Sequence, residues 1–302
     1  MKNILVTGHT GFLGKHLLKE IRKRFPEANV YVSNRSENNL LQPLGDFTDV
    51  KLDYIFHLSV DTKAGDYCLY HQGDQWQNNQ LINTNILTYW RSYQPQAKMI
   101  AFGTSCAYQD NEELKTESKY LDGYPNERLY IYAMTKRMLL IGLEAYKKQF
   151  GMNYLYFIPN TLYGPDFEIT DRHFIFEIMQ KISAGKFENK EVSLWGSGTQ
   201  KRELVYASDA VNKILDNLHL ENERINLSSG VEYPIREYAA LISSYIDFDF
   251  NKIKFDTDCY EGQLSKQLHP SEKIGACNQT PLLTGLKNTL KYYLQEKYQI
   301  KI

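Results

Sequence analysis

The sequence predicts an α/β fold: a doubly wound parallel sheet followed by a smaller C-terminal α/β region that would hold a substrate. Three observations carry this. Short β-branched and aromatic runs alternate with longer stretches of helical periodicity through the first half. A glycine-rich turn joins the first strand candidate to the first helix candidate, and after Pro165 the alternation gives way to shorter, mixed elements. The 302 residues, 42% of them hydrophobic, suffice for one large core or two coupled ones. A formal net charge of -1 leaves no basic stripe, which argues against nucleic acid or an anionic membrane as main partner and favours a small molecule.

In chain order, the strand candidates are NILVTG (3–8), NVYVSN (29–34), DYIFHLS (53–59), KMIAFGT (98–104) and NYLYFIPN (153–160). Between them run FLGKHLLKEIRKRF (12–25), LINTNILTYWRSY (81–93) and YAMTKRMLLIGLEAYKKQF (132–150), each with apolar residues at helical spacing and each ended by Pro, Gly or a polar cluster. Right-handed crossovers would wind these into a Rossmann-type sheet, so residues 1–164 are expected to form a dinucleotide-binding domain. Residues 165–302 then supply a helix, FIFEIMQKISAG (174–185), a Gly-rich turn, WGSGTQKRE (195–203), and mixed elements expected mainly to bind substrate. ERINLSS (223–229) is expected to return a strand to the main sheet. The N-terminal apolar run is too short for a signal segment and no later run reaches spanning length, so a soluble, cytoplasmic protein is expected. Cys68, Cys106, Cys259 and Cys277 show no CxxC spacing, which suggests neither a zinc site nor a disulfide framework.

TGHTGFLG places Gly8, Gly11 and Gly14 in a G-x-x-G-x-x-G spacing directly after a strand and directly before a helix. Glycines there allow a tight turn and close backbone approach, and the helix N-terminus faces a pyrophosphate. Thr10, Phe12 and Leu13 complete the cofactor loop, and Leu58, at the end of the third strand candidate, joins it. After the second strand, an NAD-preferring site has an acid for the ribose hydroxyls, whereas this chain has Val32-Ser33-Asn34-Arg35. With Asn34 beside it, Arg35 is suited to a 2′-phosphate, which favours NADP(H) over NAD(H); the other reading is a solvated surface arginine. Asp46 is either an acceptor for the adenine amino group or a turn residue.

YAMTK spaces Tyr132 and Lys136 at i, i+4, so both project from one helix face. A neighbouring ammonium lowers the phenol pKa, which would let Tyr132 exchange a proton with a carbonyl or hydroxyl oxygen while hydride moves. Thr104, at the C-terminal end of the fourth strand candidate, would lie on the rim where open α/β sheets bind ligands and bond the same oxygen.

TGHTGFLG, a strand-end hydroxyl and YxxxK, in this order, resemble the extended short-chain dehydrogenase/reductases, which act mostly on nucleotide-sugars. SCAY, NERLYIYAMTK, LYGPDF, RHF, WGSGTQKRE and, more loosely, YEGQLSKQL narrow the resemblance to the GDP-L-fucose synthase group, epimerase-reductases of GDP-4-keto-6-deoxymannose. The resemblance implies that Thr104, Tyr132 and Lys136 handle hydride-coupled proton transfer and that Cys106 and His173 are the epimerisation acid and base. It implies that Asn160, Lys181, Trp195, Arg202 and Lys266 contribute to the nucleotide-sugar pocket, and it matches Asn79 to an asparagine in the helix before the fourth strand. A homodimer through the long helices is also implied.

A 4-keto group acidifies the C–H bonds at C3 and C5, because the carbanion is delocalised as an enolate. Inverting such a centre needs a base on one face and an acid on the other, and an imidazole with a thiol can exchange those protons without a metal. Taken alone, Cys106 also reads as a small buried hydrophobe and His173 as a helix N-terminal residue. The chain departs from the group's pattern twice. PNTLYGP (159–165) exchanges the usual Thr and Asn, and SVDTKAGDYCLYHQGDQW (59–76) lacks the usual Ala-Gly-Gly character. A modified GDP-sugar, such as a 4-keto heptose or another deoxysugar of a bacterial surface polysaccharide, fits those changes. The competing readings are an NAD-dependent C4 dehydrogenase or 4-epimerase and a C4 reductase in which Cys106 is idle. A dehydratase would place an Asp-Glu pair where Ser105-Cys106 stand, and a non-catalytic dinucleotide sensor has no need of Tyr132 with Lys136.

Overall fold

Apolar residues at successive rather than alternate positions mark strands buried on both faces. In the computed structural model, which describes residues 1–33, 39–63, 67–259 and 262–300, they are arranged in that way. β1 (Asn3–Thr7), β2 (Asn29–Ser33), β3 (Tyr54–His57), β4 (Lys98–Phe102), β5 (Tyr154–Pro159) and β9 (Glu223–Leu227) form one sheet in the order β2-β1-β3-β4-β5-β9. Every pairing in it is parallel. β9 is the strand that ERINLSS was expected to return.

The side-chain period of two divides the sheet into two cores. Leu5, Ile55, Met99, Ala101, Tyr154, Tyr156 and Ile158 face α3 (Gln72–Tyr93) and α4 (Tyr130–Phe150). Their neighbours Ile4, Val6, Phe56, Ile100, Phe102, Leu155 and Phe157 face α1 (Phe12–Arg24) and α6 (Ala207–Asp216). Each fully buried Ile, Leu or Phe contributes about 1.5–3 kcal/mol, so the sheet is the rigid part on which the loops stand. β2 and β3 flank β1 on opposite sides, and the strand order reverses there, which opens a crevice at the C-terminal ends of β1 and β3.

The remaining elements build a second cluster. β6 (Thr161–Tyr163), β8 (Lys201–Tyr206) and β10 (Glu232–Pro234) form a small sheet, and β7 (Val192–Trp195) pairs with β11 (Ile253–Asp256). α5 (Phe174–Phe187), α7 (Ile235–Tyr245) and α8 (Leu282–Tyr298) enclose a separate apolar core with them. The chain leaves this cluster through α6 and β9 before re-entering it at β10, and Leu268, Ile274 and Cys277 pack back on the main sheet before α8. Phe12 stands edge-on to Phe176 at 5.8 Å between ring centres, and Phe176 stacks on Phe167 at 4.0 Å, so the start of α1 is braced against α5.

α3 outruns its sequence pattern most. α3 begins at Gln72, nine residues before the apolar periodicity starts. Its first turns bury Gln75 and Asn79 rather than apolar side chains, because that end packs on the polar loop after β3 and not on the sheet. The short α2 (Tyr67–Tyr70) precedes it.

Candidate active site

The glycine loop after β1 and the Thr104 loop after β4 leave the C-terminal ends of strands of the parallel sheet. The first runs from β1 into α1. Gly8 has φ +69, and a side chain on it would meet Ser59 N at 2.7 Å and the Leu58 carbonyl carbon at 2.8 Å; one on Gly14 would meet Gly8 O at 2.3 Å. Leu58 therefore limits the loop from below. Gly11 caps α1 without a side-chain bond, and no acid lies in the first turn. The backbone N–H groups of Phe12, Leu13 and Gly14 thus open onto a cradle lined by glycine, the arrangement that a pyrophosphate needs. Thr10 is exposed at its lip, and the Phe12 ring turns away to pack on His16 and Phe176. Asp46 is exposed at the start of a turn, and Asn34 and Arg35 lie outside the described residues.

The second loop follows β4. Thr104 caps a short turn over Ser105–Ala107, and its Oγ1 accepts from Cys106 N at 3.3 Å. Tyr132 and Lys136 reach the same place from the first turns of α4. Burial raises the Tyr132 phenol pKa above its ordinary value, with the Cys106 thiol and Tyr120 adding to it and the neighbouring Thr104 hydroxyl working against it. The lowering expected from Lys136 is not among the influences on this phenol, where desolvation of the phenolate dominates. Desolvation also lowers Lys136 to about 8, and among the described residues its ammonium has no carboxylate beside it. A buried cation without an anion costs stability, so this lysine is held ready for something other than a protein partner.

Below Lys136, His57 is fully buried and pushed down to about 3 by desolvation and by the Lys136 charge. It is a neutral link between Thr7 Oγ1 at 3.0 Å and Asn83 Oδ1 at 3.5 Å. Asn83 in turn donates to the Thr135 carbonyl at 3.3 Å. Asn79 brackets Asp61 from both sides, accepting from its N–H at 2.8 Å and donating to its carbonyl at 3.0 Å. The Asp61 carboxylate takes further bonds from Asn78 and Tyr67. The Asp61 stretch of the polar loop after β3 is therefore pinned to α3.

His173 caps α5 from the other cluster. Its Nδ1 lies 2.6 Å from Asp171 Oδ1, which also accepts from the His173 N–H at 2.8 Å. Burial works against the Asp171 carboxylate, but the bonds from His173 outweigh it and hold its pKa below the ordinary value. The side chain of His173 is 55% exposed, and among the described residues no hydrogen bond or ion pair ties it to Cys106 or Tyr132. Asp171 was missed in the sequence, where its only signal is a D-x-H spacing.

Asn160 has a different task from the substrate contact expected of it. Its amide donates to Glu203 Oε2 at 2.5 Å and to the Lys266 carbonyl at 2.8 Å, while its Oδ1 accepts from Thr161 N and Ser105 Oγ. Both donors are spent within the protein, so the exchanged Thr-Asn order turns this side chain into a structural tie. Glu203 is the centre of that tie, taking bonds also from Ser228, Ser229, Gly230 and Leu268 while burial raises its pKa. It gathers the ends of β5, β8 and β9 and the 266–268 segment, and it too escaped the sequence reading. Lys181 and Trp195 do come together, with the ammonium 5.9 Å from the ring centre and 2.9 Å from Glu177. Trp195 is 51% exposed, and Arg202 is anchored to the Gln263 carbonyl at 2.7 Å.

This crevice, with a glycine cradle on one side and a Thr-Tyr-Lys set on the other, corresponds to a known family model, "NAD dependent epimerase/dehydratase family", which matches residues 4–227. The chain belongs to that family. The GDP-L-fucose synthase of Escherichia coli (strain K12) is 25% identical over 98% of this chain and 98% of its own length. A GDP-6-OMe-4-keto-L-xylo-heptose reductase from C. jejuni superposes with a TM-score of 0.86 at 20% identity, covering 99% of this chain and 98% of that one. A GDP-L-fucose synthetase from Naegleria fowleri bound to NADP gives 0.82 at 23% identity over 99% and 96%. The family's α/β architecture with a parallel central sheet is the one observed. No helix among the described residues is long and apolar enough to cross a membrane.

Proposed function

We propose that this protein is an NADP(H)-dependent epimerase/reductase of a GDP-linked 4-keto sugar. The observation that carries the reading is the Tyr132 hydroxyl, kept protonated by burial, beside Thr104 and one helical turn from an uncompensated Lys136. A reductase must deliver a proton to the oxygen that gains negative charge, and a neutral phenol is the form that can do so. Thr104 holds that oxygen in line, and Lys136 offers its charge to the ribose hydroxyls and to the phenolate that Tyr132 becomes. Gly8, Gly11 and Gly14, with the N–H groups at the start of α1, would hold the pyrophosphate. When bound, the reduced nicotinamide supplies the hydride.

For epimerisation, His173 is the base. Asp171 fixes its Nδ1–H and leaves Nε2 to take the proton, while Cys106, at the Thr104 turn, returns one from the opposite face. Lys181, Trp195, Arg202 and Lys266 would hold the nucleotide-sugar. Residues 1–164 act mainly on the dinucleotide and 165–302 on the substrate, in the cytoplasm. Leu81 on α3 and Met138 and Ile141 on α4 are 39%, 45% and 43% exposed, and their faces would pair in a homodimer.

A C4 reductase without epimerisation is the second reading, favoured by the exposure of His173 and its lack of a bond to Cys106. The test is to supply NADPH with GDP-4-keto-6-deoxymannose or a GDP-4-keto heptose in deuterated solvent. Reduction with deuterium at C3 or C5 supports the first reading, reduction without it the second. Release of bound NAD(H) from the purified protein would overturn the NADP(H) assignment.

A further inference from the structure

The distance between Thr104 and the Tyr132–Lys136 turn is not fixed by the sheet alone. Thr104 stands at the end of β4, and the turn belongs to α4, a helix that slides on side chains. Between them lie two buried tyrosines that take no part in the chemistry above. The Thr104 N–H donates to the Tyr120 oxygen at 3.3 Å, the Tyr120 and Tyr156 hydroxyls are 3.2 Å apart, and the Tyr156 hydroxyl donates to the Lys136 carbonyl at 2.7 Å. A phenol has one hydrogen, and that of Tyr156 is committed to Lys136, so Tyr120 must be the donor between them. The chain of bonds therefore runs in one direction, from the backbone of the strand end to a carbonyl inside the helix.

We propose that Tyr120 and Tyr156 are positioning residues, a buried hydrogen-bonded strut that sets the spacing between Thr104 and the turn of α4 bearing Tyr132 and Lys136. The packing is built around it. Both rings are fully buried, at 0% exposure, and the chain narrows to Ala101 in β4 and Gly103 just after it on the face they occupy. A side chain on Gly103 would lie 2.6 Å from the Tyr120 hydroxyl and 2.7 Å from the Tyr156 ring, which leaves no room for alanine. Burial pushes Tyr120 up to about 12 and Tyr156 well above its ordinary value, so both stay neutral and neither supplies the reaction's proton. On the next carbonyl along, Thr135 receives Asn83 from α3, so two neighbouring elements grip consecutive residues of the catalytic turn. A displacement of about 1 Å at such a site can cost a hundredfold in rate, which makes a strut of this kind worth conserving the space for.

This inference rests on the reductase reading for its kinetic arm only. Tyr120→Phe and Tyr156→Phe keep the rings and remove the bonds. With NADPH and GDP-4-keto-6-deoxymannose, each is expected to lower kcat about tenfold at unchanged KM for NADPH. The double variant should fall no further than the worse single one, because the bonds form a single chain. Singles that both retain kcat within about twofold, or a double variant that multiplies two losses, would overturn the strut and leave only ring packing. Exchange of the Thr104 amide, followed by NMR on the protein without substrate, decides the matter separately. Tyr120→Phe should speed it at least tenfold while global stability stays near that of the wild type, and unchanged exchange refutes the proposal. If the wild type reduces no GDP-4-keto sugar, the functional reading falls while the amide still reports on the strut.

Discussion

The two halves of the candidate site are held in opposite ways. Thr104, Tyr132 and Lys136 sit against the sheet, clasped by buried bonds from Tyr120, Tyr156 and Asn83, whereas His173 stands half exposed at the start of α5 with Asp171 as its support. The difference matches what the proposed mechanism asks of each half. A hydride donor and the proton that accompanies it demand a fixed geometry, and the rigid sheet supplies it. In the proposed mechanism, a base acting on one face of a sugar would need access as the substrate enters, and the N-terminus of a helix in the second cluster would provide it. The contact from Phe12 to Phe176 and the Asn160–Glu203 tie are among the places where the two clusters touch.

Substitutions can break this contrast in order of size. Tyr132→Phe should lower the rate of reduction about 10²–10⁴-fold and leave NADPH binding intact, as measured by single-turnover kinetics and cofactor titration. Asp171→Asn should slow solvent deuterium incorporation about a hundredfold, the cost of a misdirected base, and leave reduction of C4 nearly unaffected. Equal losses in both reactions would mean that the halves do not act separately. Cys106→Ser should abolish that incorporation with cofactor binding preserved; exchange that persists unchanged in the variant removes Cys106 from the mechanism.

Smaller effects sharpen the same picture through stability. The folded state lowers Lys136 from 10.5 to about 8, so its ammonium costs stability below pH 8, a cost that fades as pH rises from about 8 toward 10.5. Lys136→Met should therefore abolish activity yet raise unfolding stability at neutral pH by roughly 3 kcal/mol, read from denaturant titration. His57 is lowered from 6.5 to about 3, so the unfolded chain binds a proton that the native one refuses as pH falls through that interval. Stability should decline below pH 6.5 by about 1.4 kcal/mol per pH unit, and His57→Gln should remove that slope.

The parts of the molecule legible in the sequence are those governed by local rules. The glycine spacing, the i, i+4 pair of Tyr132 and Lys136 and the uninterrupted apolar strands each constrain a few neighbouring residues, and each appears where expected. ERINLSS could be assigned to the sheet for the same reason, since it has the form of a buried strand. What the sequence left obscure depends on residues far apart. The first turns of α3 carry no apolar period because they face a polar loop, and Asn160 looks like a substrate contact until Glu203 and the Lys266 carbonyl meet it from 43 and 106 residues away. Tyr120 and Tyr156, 36 residues apart, look like ordinary core aromatics among 23 tyrosines until their hydroxyls are seen in line.

The central claim is that Tyr132 delivers the proton while C4 of a GDP-linked 4-keto sugar is reduced. Its most direct test is the transfer of deuteride from C4-deuterated NADPH to GDP-4-keto-6-deoxymannose and to a GDP-4-keto heptose, with wild type and Tyr132→Phe compared by NMR of the product. The expected result is deuterium at sugar C4 with the wild type on at least one substrate and a rate at least a hundredfold lower with the variant. Label transferred equally fast by the variant, or no transfer by the wild type to any GDP-4-keto sugar, would contradict the account.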